Sequence, residues 1–264
     1  MIIKNNDKSK VMGILNLTPD SFYDGNKSFS PQFFLNTFNR ISKADIVDIG
    51  AESSKPGSKP ISKKEEIKRL QYFFEFSKKH KCLSIDSYKS EVITYCLDRN
   101  FNMINDISGG GEKFINIDIA KDYDVPICLM HMRGTPENMQ KNLLYKNIIE
   151  EITFFFNKRL EYALKIGIKE DNIILDPGLG FGKSLEDNFK IISNIKVFKS
   201  LGFKLLIGLS RKSFLKYNNN LPQDRLLSSI AMQAICVNKG VDIIRTHDVN
   251  ETISSLKIVN KLDM

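Results

Sequence analysis

The chain has 264 residues, 42% hydrophobic and 27% charged, with a formal charge of +8. This composition excludes a disordered or collagen-like chain, and a length near 250 residues suits one α/β barrel. The lysines are dispersed rather than clustered, which argues against nucleic acid as a partner, and no run of about 18 apolar residues offers a membrane span.

Short β-rich apolar runs alternate with longer helical patterns, a rhythm that predicts parallel βα units. Strands are expected at 11–15, 45–49, 82–85, 103–104, 125–130, 172–175, 204–207 and 242–245. Most lack period-two alternation, as strands covered on both faces should. The helix expected at 63–80 has Ser62 before it and Glu65 three residues on, the pattern of a capping box. Segments 143–166, 185–201, 224–238 and 251–262 show apolar residues at three- and four-residue spacing, and Gly167, Gly202 and Gly240 stand where helices should stop. Eight units favour a single (β/α)8 TIM barrel over residues 1–264. Cys82, Cys96, Cys128 and Cys236 form no CxxC and read as reduced core thiols. MIIKNNDKSK carries no apolar segment behind its lysines, so a cytoplasmic protein is expected.

Nearly every predicted strand ends in a polar residue: Asn16, Asp48 with Glu52, Asp86, Asn105 with Asp106, His131, Asp176, Arg211 with Lys212, and Arg245 with His247. In a barrel these carboxyl-terminal ends converge on the face where active sites are built. Any one of them can be a helix cap or a turn residue; the ring together predicts a polar pocket. GLGFGK at 178–183 lacks both GxxxxGK[ST] and GxGxxG spacing, so its glycines are expected to shape that pocket rather than cradle a phosphate. The loops at 18–29 and 53–61 are long and polar, and are expected to be mobile. Three dispersed histidines offer no zinc site.

MGILNLTPDSFYDG (12–25), DIGAESSKPG (48–57), SIDSYK (84–89), INDISGG (104–110), LMHMRGTPENMQ (129–140), DPGLGFGK (176–183), IGLSRKSF (207–214) and RTHDV (245–249) stand in order along the chain. They resemble the successive signature blocks of the dihydropteroate synthases. The resemblance implies a barrel that joins p-aminobenzoate to 6-hydroxymethyl-7,8-dihydropterin diphosphate, releasing diphosphate, in folate biosynthesis. It implies that Asp176 accepts two parallel hydrogen bonds from the guanidine-like edge of the pterin, a strong planar match. Asp86 and Asn105 would reach other ring nitrogens and Lys212 the carbonyl side, with Arg245 nearby. Met130 and Phe181 would wall the ring, and Gly208 would leave backbone room. Asn16, Ser54, Lys55, Arg245 and His247 would hold the diphosphate, with Asn16 also helping to hold Mg²⁺. Phe22, Ser54, Lys55, Pro56 and Ser213 would receive p-aminobenzoate, and Asp20 or Asp24 would stabilise a cation at the pterin methylene. Lys212 and Arg245 complete the catalytic set. A homodimer through 224–238 and 251–262 is also implied.

Three positions depart from the family pattern: Lys55 replaces its usual arginine, Ser54 a threonine, and Lys216 a common glycine. Lysine keeps the charge but loses the planar fork. Other readings stay open on the sequence. They are a Schiff-base aldolase using Lys212 or Lys183, a barrel that carries a methylated folate to a corrinoid protein, and a catalytically weakened paralogue that still binds pterin.

Overall fold

A computed structural model describes residues 8–18, 31–76, 80–141, 143–217 and 221–261. Strands of four to seven residues form the barrel wall. They are β1 (Lys10–Asn16), β2 (Ile46–Gly50), β3 (Leu83–Asp86), β4 (Met103–Asp106), β5 (Ile127–Met130), β6 (Ile173–Asp176), β7 (Lys204–Gly208) and β8 (Ile243–Thr246). All pair in parallel in sequence order, and β8 closes on β1. The eight-unit expectation is met.

Side-chain parity inside the barrel separates an apolar layer from a polar one. Met12, Ile46, Cys82, Met103, Cys128, Ile174, Leu206 and Ile243 form one buried cluster, a residue from each strand or its entry. Successive residues on a strand point to opposite faces, so the next inward layer lies two positions on. It reads Ile14, Asp48, Ser84, Asn105, Met130, Asp176, Gly208 and Arg245. The pocket floor is thus set by the sequence period and rests on a hydrophobic plug. The opposite strand faces join the larger core against the helices, with Val47, Ile49, Ile85, Leu129 and Leu175 all buried.

The helices are α1 (Pro31–Ile41), α2 (Lys63–Phe76), α3 (Ser90–Leu97), α4 (Ile115–Asp122), α5 (Ile148–Lys165), α6 (Leu185–Ser193), α7 (Ile195–Lys199), α8 (Leu226–Asn238) and α9 (Val249–Val259). Several bounds differ from expectation for local reasons. The 143–166 helix starts only at Ile148, because Asn147 is extended and its side chain accepts from the Ile149 and Glu150 amides. The 185–201 helix breaks at Asn194, which leaves helical geometry and donates its side-chain amide to Lys190 O at 2.8 Å. At α2, Ser62 Oγ does accept from the Glu65 amide, but the Glu65 carboxylate pairs with Arg69 instead of closing the box. His80 lies outside that helix, bridging Cys82 O and Ala44 O. All four cysteines are buried and free.

Candidate active site

Parallel register brings the strand ends level. Asn16 is opposite Gly50, Gly50 opposite Asp86, and Asp86 opposite Asn105; farther round, Met130 meets Asp176 and Gly208 meets Arg245. Gly50 serves a packing need, since a Cβ there would lie 3.3 Å from the Asp86 carboxylate that crosses β2.

The floor is an ionic network centred on Arg245. Its Nε donates to Asp48 Oδ2 at 2.7 Å and its Nη2 to Asp86 Oδ2 at 2.6 Å, while Asn105 Nδ2 donates to Asp48 Oδ2 at 2.9 Å. Asp48 is fully buried, and its Oδ1 has no hydrogen-bond partner among the described residues. Burial pushes the Asp86 carboxyl up to about 7 against the pull of Arg245. Burial opposes charge on Arg245 as well, but Asp48 and Asp86 outweigh it and raise the guanidinium above its usual range. Asp48 was visible as a strand-end acid, yet its role as the acceptor shared by Arg245 and Asn105 was not foreseen.

Across the barrel, Asp176 Oδ1 accepts the Gly178 amide at 2.7 Å. Burial raises its pKa, while Lys212, the Gly178 N–H, Lys183 and Arg245 draw it down. Lys212 Nζ donates to Leu179 O and lies 4.4 Å from the centre of the Phe181 ring. Burial pushes the Lys212 pKa down to about 8, with Asp176 opposing. The 178–183 loop therefore turns carbonyl oxygens toward lysines, the reverse of a phosphate cradle, whose N–H groups face the ligand. Lys183, read from sequence only as a possible nucleophile, is its buried anchor. Its Nζ lies 3.1 Å from both His131 Nδ1 and His131 O and 2.9 Å from Phe181 O. Burial lowers its pKa to about 7 and that of His131 to about 2, so His131 is neutral and its Nδ1 accepts.

Gly178 makes this loop possible. Its φ is +68°, and a Cβ there would lie 2.0 Å from His131 O. Gly178→Ala combines about 1–2 kcal/mol of left-handed strain with a backbone clash. It is expected to lower the melting temperature by more than about 4 °C, and melting within about 1 °C of the parent would contradict that.

Not all of the predicted ring faces the pocket. Asp106, one residue past Asn105, points to the helix side, where it accepts from Ser108 N, Gly110 N and Asn116 Nδ2. His131, one past Met130, packs edge-on to Phe155. Arg211 forms a two-pronged pair with Asp248, and Glu52 pairs with Lys89. These four organise loops. A Cβ at Gly208 would meet only Arg245 side-chain carbons, at 3.7 and 3.9 Å, so close backbone approach to a neighbour does not explain that glycine.

At the rim, the His247 amide and Nδ1 both lie 3.2 Å from Ser210 Oγ. Burial, then Arg245, with a smaller contribution from nearby Lys55, pushes the His247 pKa down to about 4. His247 can thus offer a neutral N–H to this side. Arg245 is already matched by two carboxylates, and Lys55 also contributes positive charge to this side. Ser54 is half-buried, and Lys55, Pro56 and Ser213 are exposed. Asp20, Phe22 and Asp24 lie outside the described residues.

A closed parallel barrel with acids and lysines gathered at its strand ends has the build of a barrel enzyme. A sequence model described as pterin binding enzyme matches residues 12–247. The dihydropteroate synthase of Haemophilus influenzae is 37% identical over 254 residues, 94% of this chain and 92% of its own length. A solved Yersinia pestis dihydropteroate synthase with a sulfonamide drug complex is 36% identical with a TM-score of 0.90, covering 97% of this chain and 94% of that one. The Xanthomonas albilineans dihydropteroate synthase in complex with 7,8-dihydropteroate is 30% identical with a TM-score of 0.85, at the same coverage. The chain belongs to the pterin-binding enzyme family and, within it, to the dihydropteroate synthases.

Proposed function

We propose that this barrel condenses 6-hydroxymethyl-7,8-dihydropterin diphosphate with p-aminobenzoate. The observation that carries the reading is the grouping of side chains at the strand ends: Asp86, Asn105 and Asp176 at the ends of β3, β4 and β6, with Lys212 near Asp176 and Arg245 paired to Asp86. Two acids, an amide and a lysine suit a ring that mixes donors and acceptors. Asp176 takes the guanidine-like edge, Asp86 and Asn105 other ring nitrogens, and Lys212 the carbonyl; Met130 and Phe181 wall the ring.

The carbon–oxygen bond at the exocyclic methylene breaks, and both electrons leave with the diphosphate. The electron-rich ring stabilises the resulting cation, the amine attacks, and its proton passes to solvent. The protein chiefly positions the reactants and stabilises the leaving group, so no nucleophile triad is required. His247 donates, Lys55 supplies charge, and Ser54 and Ser213 add hydroxyls; the two serines, with Lys55 and Pro56, receive p-aminobenzoate. Asp20 or Asp24 is assigned to the cation, and Phe22 to the second substrate.

Asn16 would hold Mg²⁺ through its one neutral side-chain oxygen. The fit is chemical: magnesium keeps several waters and leans on substrate phosphates with one or two protein ligands. Asn16 ends β1 beside β8, the strand that leads to His247. Once bound, the ion would supply positive charge for the diphosphate.

A homodimer is proposed through α8 and α9, where Leu227, Ile235 and Ile258 are exposed apolar residues. The free cysteines support a reducing, cytoplasmic setting, and among the described residues no helix is long and apolar enough to cross a membrane.

Formation of 7,8-dihydropteroate and diphosphate in equal amounts from the two substrates tests the reaction; pterin binding with neither product formed refutes it and favours a catalytically weakened pterin binder. Lys55→Ala is expected to lower kcat/KM for p-aminobenzoate about tenfold, a charge-assisted contact discounted for exposure. Lys55→Arg restores the fork and is expected to match or exceed the parent; abolished turnover would show that lysine is specifically required.

A further inference from the structure

Three charged residues from three elements meet behind the loop at 53–61. Glu52 follows β2, Glu66 lies in the first turn of α2, and Lys89 immediately precedes α3. Lys89 Nζ is 2.5 Å from Glu52 Oε2 and 2.6 Å from Glu66 Oε2. The Glu66 side chain is 1% exposed, and its Oε1 has no partner among the described residues. Burial raises the Glu66 pKa while Lys89 draws it down.

Glu52 does more than pair. The same Oε2 accepts the Ile61 amide at 2.8 Å, which ties the far end of the loop to its near end. The Tyr88 hydroxyl also hydrogen-bonds Glu52, and Tyr88 O accepts Asn116 Nδ2 at 3.0 Å. Within the loop, Ser58 Oγ lies 2.6 Å from both Ser53 O and Lys55 O, and the Gly57 amide donates to Pro136 O at 2.8 Å. The sequence predicted a mobile loop; its described form is braced at both ends and in the middle.

A buried and a largely buried carboxylate against one ammonium are a costly way to join helices, since apolar residues of similar volume commonly serve stability as well. What the cluster adds is geometry. We propose that Glu52, Lys89 and Glu66 are positioning residues that hold the 53–61 loop in the form that presents Ser54 and Lys55 to p-aminobenzoate. The inference rests on the reading of that loop given above.

In Glu52→Ala, the KM for p-aminobenzoate is expected to rise at least about tenfold. Calorimetric pterin affinity stays within about twofold, because the ring pocket is not touched. Hydrogen exchange at the Ile61 amide speeds by at least about tenfold. Glu52→Gln keeps an oxygen for that amide and recovers most of both effects. Ser58→Ala touches only loop carbonyls and carries the same prediction at smaller scale if Glu52→Ala fails to fold. Faster exchange with an unchanged KM for p-aminobenzoate, or an equal loss of pterin affinity, overturns the proposal. An unmodified chain that turns over neither substrate overturns the reading of the loop instead, and unchanged exchange at Ile61 still refutes the brace on its own.

Discussion

Asp176→Ala is expected to weaken pterin binding by at least about a hundredfold. The carboxylate should make two parallel charge-assisted hydrogen bonds to the ring edge, each worth about 1.5–3 kcal/mol, so their loss exceeds the roughly 2.7 kcal/mol that a hundredfold represents. Because Asp176 also accepts the Gly178 amide, alanine disturbs the loop as well as the ring. Asp176→Asn separates the two effects. It keeps an oxygen for Gly178 but turns a donor toward the ring, so it should melt near the parent and still bind pterin poorly. Calorimetry on both variants decides: affinity within about threefold of the parent in Asp176→Ala, about 0.65 kcal/mol, would remove Asp176 as the main anchor.

Arg245→Met is expected to cost folding stability and function together. The guanidinium neutralises the fully buried Asp48 and the largely buried Asp86 in one fork. Removing one partner of a buried pair commonly costs about 3–5 kcal/mol, a drop of about 6–20 °C for a chain of this size. Without Arg245 the Asp86 pKa rises further, since Arg245 is what draws it down against burial. Arg245→Lys should recover little, because an ammonium cannot span both carboxylates as the fork does. Adding Asp48→Asn to Arg245→Met removes one uncompensated charge and should regain part of the loss in thermal unfolding. A single Arg245→Met variant that melts with the parent would show that the network does not support the floor.

The barrel was legible because its strands are apolar on both faces and its polar residues cluster at strand ends. What the ring of strand ends did not show was parity. Asn105 and Asp106 are adjacent, as are Met130 and His131, and a one-residue step rotates a side chain from pocket to helix layer. Two positions before Asp106 and His131 stand Ile104 and Leu129, as apolar as the Met103 and Cys128 that precede Asn105 and Met130, so only membership of the inner cluster separates these pairs. The helix breaks at Asn147 and Asn194 were missed because an apolar period runs through both, whereas each asparagine side chain bonds local backbone more favourably than the helix interior allows. Lys183 and Lys89 were illegible as anchors, because a buried lysine looks like a surface one until its acceptors, drawn from distant positions, are in place.

A crystal structure of the chain with 7,8-dihydropteroate tests the central assignment most directly. The pterin edge should lie within about 2.7–3.1 Å of Asp176 carboxylate oxygens, with Asn105 and Asp86 on other ring nitrogens, Lys212 on the carbonyl, and the benzoate end toward the 53–61 loop. A ring bound outside the barrel mouth, or inside it with Asp176 making no contact, would contradict the assignment.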